Sequence, residues 1–243
     1  MPKPKVALCV TCTVDQIMPD IGVATVKLLR RAGFDVEFPQ AQTCCGQPFF
    51  NSGFREEASH LAKRLITIFA PYEAVVLPGG SCTSMIRVEY AHLFADDPIW
   101  HQQAQQLAAK TYELSEFLTK HTDWQISANR SVAQTITYHD SCHMCRTLKL
   151  KDEPRQALTE AGYTITEMSN SERCCGFGGL FSIRMPEVSN AMSAEKLRQA
   201  DETQTGTLVT SDPGCLMQLR GLAHETPNLR VEHIATVLEE ATR

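Results

Sequence analysis

No stretch of this 243-residue chain approaches the ~20 consecutive apolar residues that a membrane-spanning helix needs, and its Lys and Arg residues form no basic run. With 23 basic against 28 acidic side chains, a formal charge of −5 and a pI near 5.9, it lacks the positive surface that nucleic acid or an anionic membrane would attract. No secretory leader is expected either. Met1-Pro2-Lys3-Pro4-Lys5 runs into Val6 to Val10, which is too brief for a signal-peptide core and is followed by no small-residue cleavage site. A cytoplasmic protein with reduced thiols is therefore expected. Nor is there a Gly-x-Gly-x-x-Gly fingerprint: Gly176-Phe177-Gly178-Gly179 departs from that form and sits in a cysteine loop, so no flavin or nicotinamide site is read here.

What the chain does hold is ten cysteines in an otherwise ordinary globular composition, 43% hydrophobic and 21% charged. In a reducing compartment such a set points to metal binding or catalysis rather than a disulfide framework. The cysteines repeat. Two Cys-Cys-Gly triplets, Cys44-Cys45-Gly46 and Cys174-Cys175-Gly176, are each preceded at 32 positions by another cysteine, Cys12 and Cys142. A lone cysteine follows each triplet, Cys82 at 37 positions after Cys45 and Cys215 at 40 after Cys175. The chain reads as an internal duplication. Vicinal cysteines hardly form an unstrained disulfide with each other, but both thiolates can face one soft metal centre if the backbone turns sharply, as the following glycine permits.

Each half alternates strands and helices. In the first, Lys5 to Val10 reads as a strand, Ile17 to Arg31 as a helix capped by Gly33, Asp35 to Phe38 as a strand, Glu56 to Phe69 as a helix and Ala74 to Pro78 as a strand, with a helix starting near Ser81. The second repeats the order: Thr135 to Tyr138, a helix over Pro154 to Ala161 with Gly162 as its cap, Thr164 to Glu167, a helix over Pro186 to Ala200, and Thr207 to Thr210. Ile99 to Lys120 reads as one long polar helix, followed by a loosely patterned stretch over His121 to Ser131. The expected fold class is α/β, with two pseudo-symmetric three-layer halves of parallel strands, 1–125 and 126–243. Every cysteine group then falls near a loop at the carboxyl ends of strands, where sites form in such folds.

The equal 32-residue spacing selects Cys12, Cys44, Cys45 and Cys82 as one ligand set and Cys142, Cys174, Cys175 and Cys215 as the other. Superposing Cys9-x-x-Cys12 on Cys142-x-x-Cys145 instead gives unequal spacings, so Cys9 and Cys145 are spare. Cys9 reads as a small hydrophobe of the first strand, and Cys145 as a thiol near the second site. Four thiolates suit tetrahedral zinc as well as an iron-sulfur cluster. The glycines around the cysteines favour clusters, because Gly46, Gly79, Gly80, Gly176, Gly178, Gly179 and Gly214 allow close backbone approach with amides directed at sulfur.

His139 and His143 flank Cys142 and read as hydrogen-bonding neighbours before ligands. Arg146 and Arg184 read as solvated charge, Phe49, Phe50, Phe177 and Phe181 as shielding or core, and Met185 to Met192 as a helix face.

Val10-Thr11-Cys12, Thr43-Cys44-Cys45-Gly46-Gln47-Pro48, Asn51-Ser52-Gly53 and Gly80-Ser81-Cys82 in the first half carry a resemblance to the cysteine-rich CCG domain family. So do Tyr138-His139-Asp140-Ser141-Cys142, Cys174-Cys175-Gly176-Phe177-Gly178-Gly179 and Cys215-Leu216-Met217 in the second. That family includes the cysteine-rich subunit of heterodisulfide reductase and the iron-sulfur subunits of glycolate oxidase and anaerobic glycerol-3-phosphate dehydrogenase. The nearer resemblance is to its lactate-utilization branch.

The resemblance implies one or two clusters of [4Fe-4S] type; the four-thiolate chemistry itself keeps zinc as the alternative occupant of one site. The resemblance also implies electron transfer in the oxidation of L-lactate to pyruvate, beside two companion proteins of that pathway, a second iron-sulfur subunit and a third subunit. The chain departs from the family's fuller pattern, in which the last cysteine is the second of a Cys-x-x-Cys pair: Gly79 and Asp212 occupy the earlier position here. Four thiolates per half suit an ordinary cluster or zinc, and Asp212 reads as the cap of the helix near Pro213. Three other functions share these residues: a thiol or heterodisulfide-type reductase in which a cluster or Cys145 meets the disulfide, an iron-sulfur subunit like that of glycolate oxidase, and a zinc-stabilised interaction module.

Overall fold

The apolar run near the start of the chain forms strand β1 (Lys5–Leu8), with Val6, Ala7 and Leu8 buried. In this computed structural model, which describes residues 3–126 and 134–243, β1 joins a parallel sheet with β2 (Asp35–Glu37), β3 (Val75–Leu77) and β4 (Thr111–Glu113), in the order β2-β1-β3-β4. A second parallel sheet is built from β5 (Thr135–His139), β6 (Thr164–Ile165), β7 (Thr207–Thr210) and β8 (Arg230–His233), in the matching order β6-β5-β7-β8. The register repeats as well. Ala7 pairs with Val75 in one sheet and Thr137 with Leu208 in the other. The strands β3 and β7 are buried throughout, as a parallel sheet with both faces covered demands, so each half is an α/β layered unit as expected. The chain divides into two compact units, Met1–Thr122 and Asp123–Arg243.

Both glycine caps adopt the conformation their sequence suggests. Gly33 and Gly162 have φ near +90°, and the amides of Phe34 and Tyr163 reach back to Leu29 and Leu158 at 3.1 and 3.0 Å, closing the helices Pro19–Arg31 and Asp152–Glu160. The expected helix over Ile17 to Arg31 is broken at Met18, with a short helix Cys12–Ile17 before it, because Pro19 opens a new helix at its first position.

The single helix expected over Ile99 to Lys120 is not formed. The chain there makes a helix Pro98–Ala108, then β4, then a helix Leu114–Lys120. Pairing of Thr111, Tyr112 and Glu113 with Val75, Val76 and Leu77 overrides the Gln- and Ala-rich helical pattern. The fourth strand of the second sheet, β8, is likewise an addition to the expected elements. The boundary region over His121 to Ser131 lies from residue 127 onward outside the described residues, as do Met1 and Pro2.

Two buried acids report on these units. Glu113 accepts from the amides of Ser115 and Glu116 and from the Ser115 hydroxyl, capping the helix Leu114–Lys120, and burial pushes its carboxyl up to about 7 against those hydrogen bonds. The folded first half thus keeps a proton that the unfolded chain releases near the ordinary 4.5. Its contribution to stability is full below that value, is lost as pH rises through 7, and amounts to about 3 kcal/mol. Chemical denaturation from pH 4.5 to 8 is expected to show this decline, and E113Q to flatten it.

In the second half Asp140, at the end of β5, is buried against the Arg155 guanidinium, which binds it through two contacts of 2.8 Å and also reaches Glu167. Burial opposes the Asp140 carboxylate, yet the Arg155 contacts outweigh it and hold the group below its ordinary range. R155M would strand that carboxylate, and a loss of about 3 kcal/mol is expected in urea denaturation, partly restored in the D140N/R155M pair.

Candidate functional site

Each half carries its cysteines at the carboxyl ends of its strands, in an inner and an outer pair. In the first half Cys12 opens the short helix after β1, with Thr11 capping it by accepting from the Val14 amide. Cys44 and Cys45 follow β2, and Cys82 lies in the helix Gly80–Ser84 after β3, which continues into a π-helical turn over Met85–Glu89. The Cys45 and Cys82 sulfurs are buried and 3.1 Å apart. Those of Cys12 and Cys44 are 3.7 Å apart and nearer the surface, with Cys12 exposed.

The second half repeats this plan. Cys175 and Cys215 are buried with sulfurs 3.1 Å apart, while Cys142 and Cys174 are less buried and share a hydrogen bond. All eight cysteines selected by spacing are thus brought into two four-sulfur groups, and none of the ten is in a disulfide.

The glycines of the triplets make these groups geometrically accessible. Gly46 and Gly176 have φ of +85° and +93°, turning the chain so that the Gly46 amide points at the Cys44 sulfur (3.5 Å) and the Gly176 amide at that of Cys174 (3.4 Å). The Phe177 amide adds a third such contact, to Cys175 at 3.5 Å. Amides directed at sulfur stabilise the thiolate form and tune a bound centre.

Hydrogen bonding from Cys142, then Cys175, and from the Gly176 amide pulls the Cys174 thiol strongly down, and Cys142 is correspondingly pushed up. The inner thiols are both held well up: Cys45, against the opposing bond of Cys44, by its hydrogen bond with Cys82 and then by burial, and Cys175 by its hydrogen bonds with Cys174 and Cys215 and then by burial.

Around this common frame the two halves differ. The Cys45 carbonyl accepts from the Tyr90 hydroxyl at 2.8 Å, whereas the Cys175 carbonyl accepts from Ser193 at 2.7 Å. Gly46 abuts Ala58 and Gly176 abuts Ser189, which makes those two positions equivalent; counting on, Ala62 matches Ser193 and Leu65 matches Lys196. Lys196 is fully buried, donates to the carbonyls of Asn170 and Ser171 and to the Met168 sulfur, and has its ammonium lowered to about 8 by burial. Gln218 braces Ser189 and Ser193 at 3.1 and 3.0 Å. The first half lines its site with Leu65, Ala58, Ala62 and Met85, the second with a polar shell.

His143 places Nδ1 3.7 Å from the Cys142 sulfur. His139 is a more consequential neighbour: it is fully buried, and a ring nitrogen lies within 4.8 Å of the Cys175 and Cys215 sulfurs. Asp212 caps the helix Pro213–Leu222 by accepting from the Gly214 amide at 3.0 Å, as its place before Pro213 suggests. Arg146 donates to the Glu172 carbonyl and Arg184 is exposed. Phe177 packs on Gly214, and Met185 is about half exposed.

Cys9 is buried beside Cys45 and Cys44 with its thiol pushed far up by burial, and Cys145 is also buried. Tyr90, Ser189, Ser193, Lys196 and Gln218 carry no motif that marks them in the sequence. Only the repeat register, which sets Lys196 against Leu65, could flag the lysine.

An open hollow of about 390 Å³ borders the first outer pair, with Cys12, Cys44, Asp15, Gln16 and Phe38 in its walls. A larger one of about 450 Å³, bordered by Lys5, Glu37 and Tyr72, contains no cysteine. No described helix is long and apolar enough to cross a membrane.

The cysteine and histidine groups are compatible with metal binding. The paired sulfurs and the amides aimed at them suit a soft metal or a cluster.

The chain is 45% identical over 240 residues to lactate utilization protein A of Bacillus subtilis (strain 168), covering 96% of this chain and 98% of that protein. It is 43% identical over 241 residues to the protein of the same name from Halalkalibacterium halodurans, covering 98% of each. Among solved structures, a hypothetical protein from Helicobacter pylori shares the fold with a TM-score of 0.72 at 7% identity, covering 99% of this chain and 49% of that one. The CCG cysteine-rich domain matches twice, over residues 6–87 and 136–220, around the two sulfur groups, and the chain belongs to that family.

Proposed function

We infer that this chain is an iron-sulfur electron-transfer protein of lactate utilization, built from two cysteine-rich domains, 1–125 and 126–243. Cys12, Cys44, Cys45 and Cys82 hold one cluster of [4Fe-4S] type, and Cys142, Cys174, Cys175 and Cys215 the other. The observation that carries this reading is the convergence of an inner and an outer sulfur pair in each half, with backbone amides donating to the outer sulfurs. The names of the relatives support a place in lactate utilization, and the reaction read here is oxidation of L-lactate to pyruvate in the cytoplasm. Two companion proteins, a second iron-sulfur subunit and a third subunit, would exchange electrons with the chain.

When bound, such a cluster takes up and returns single electrons. The chain's own residues do the rest. The buried inner pair anchors the centre away from water. The exposed outer edge at Cys12 brings it within reach of a partner. Gly46, Gly176 and Phe177 donate to sulfur and favour the thiolates.

Zinc in the second half is the alternative occupant, favoured by the imidazole beside Cys175 and Cys215. A disulfide reductase acting through Cys145 has less support, since that thiol is buried and raised. The test is metal and acid-labile sulfide analysis with an absorption spectrum on protein purified without oxygen. Iron and sulfide in near-equal amounts with a bleachable brown colour are expected. Zinc without sulfide would sink the redox reading.

A further inference from the structure

We propose that His139 is a nitrogen ligand of the second metal centre, so that the two halves hold chemically different sites. The proposal rests on the reading that the second half binds a metal, and it adds a donor that the cysteine pattern does not contain.

The geometry begins with the repeat. His139 precedes Cys142 by three positions as Cys9 precedes Cys12, and both residues lie at the carboxyl end of the first strand of their half. In the first half that position is a buried thiol. In the second it is an imidazole whose two nitrogens have different fates. Nδ1 lies 3.2 Å from the Ser171 carbonyl, which can only accept, so Nδ1 carries the proton. Nε2 therefore bears a lone pair, and it is buried with no hydrogen-bond partner among the described residues.

An imidazole held through one N–H by a backbone carbonyl, with its other nitrogen bare, is the arrangement by which proteins orient a histidine ligand. One nitrogen of the ring lies within 4.8 Å of the Cys175 and Cys215 sulfurs. A bare buried acceptor costs stability unless something fills it, and a metal held by those two thiolates would.

The carbonyl that holds the ring is itself fixed in place. Lys196 donates to the same Ser171 carbonyl at 3.2 Å, and the Asp140 amide reaches it at 3.1 Å. The residue equivalent to Lys196 in the first half is Leu65, so the cation and the imidazole occur together on one side of the duplication.

The experiment uses full-length protein grown with 15N-histidine in an otherwise 14N background and purified without oxygen. Metal and sulfide analysis comes first and judges the parent reading. Pulsed electron paramagnetic resonance of the reduced protein then reads nitrogen coupling if iron is present, and X-ray absorption at the zinc edge reads the ligand shell if zinc is. A histidine nitrogen is expected on the metal of the wild type, retained in H143Q and lost in H139Q while metal stays bound.

No histidine nitrogen in the labelled wild type overturns the proposal without any variant having to fold, as does one that persists in H139Q. Zinc with a histidine nitrogen overturns the cluster reading and leaves His139 in place. A metal-free protein overturns both.

Discussion

Replacing Cys45 with serine is expected to strip the first half of its metal and leave the second half loaded. Cys45 is buried, its sulfur sits 3.1 Å from that of Cys82, and its carbonyl is pinned by Tyr90. The side chain therefore cannot swing away to let another donor take its place. A serine hydroxyl in that apolar setting does not ionise near neutrality and offers a hard oxygen to a soft metal. Bound iron, sulfide and visible absorption are each expected to fall by half, with the remaining spectrum that of the second half alone. C175S should do the converse. C9A serves as the comparison, since Cys9 belongs to neither ligand set and its loss leaves the metal content whole. Full metal in C45S would mean that the first four cysteines hold no centre.

Gly176→Ala is expected to unfold or severely loosen the second half, far beyond the effect of the same change at Gly46. A Cβ at Gly176 would stand 2.4 Å from the Ser189 carbonyl oxygen and 3.0 Å from the Ser193 hydroxyl, at a φ of +93°. The carbonyl belongs to the helix Pro186–Asp201 and cannot retreat without breaking the Ser189 and Ser193 hydrogen bonds to the triplet backbone. The left-handed backbone costs about 1 kcal/mol and the overlap roughly 2 more, for a total of about 3 kcal/mol.

At Gly46 the nearest atom is the Ala58 carbonyl oxygen at 3.2 Å, so the backbone penalty dominates and about 1 kcal/mol is expected. Urea denaturation of the two metal-free variants, followed by proteolysis of each half, separates the effects. Equal midpoints for G46A and G176A would show that the helix beside Gly176 yields.

Much of this is legible in the sequence because cysteine spacing and strand periodicity are local signals. The 32-residue interval sets the repeat register, and that register brings four sulfurs together in each half. The caps at Gly33 and Gly162 follow from a single residue type in a required conformation.

What stays hidden depends on partners distant in sequence. Thr111-Tyr112-Glu113 is too short to announce a strand inside a Gln-rich helical pattern and becomes one only through β3. His139 looks like any histidine beside a cysteine, and only the Ser171 carbonyl reveals which nitrogen is bare. Lys196 passes for the polar face of a helix, although its ammonium is turned inward onto two backbone carbonyls.

The closure of each sulfur group within its own half orders the protein's biogenesis. The first set is complete at Cys82 and the last strand of its sheet at Glu113, before any residue of the second set has been translated. An N-terminal unit of this kind folds while the rest is still being synthesised. A metal centre in the first half could then be filled on the ribosome, whereas one in the second would wait for Cys215 and for β8. When the cofactor supply is short, nascent chains would fill from the amino-terminal side first, and half-loaded protein would accumulate with its empty site always in the same half.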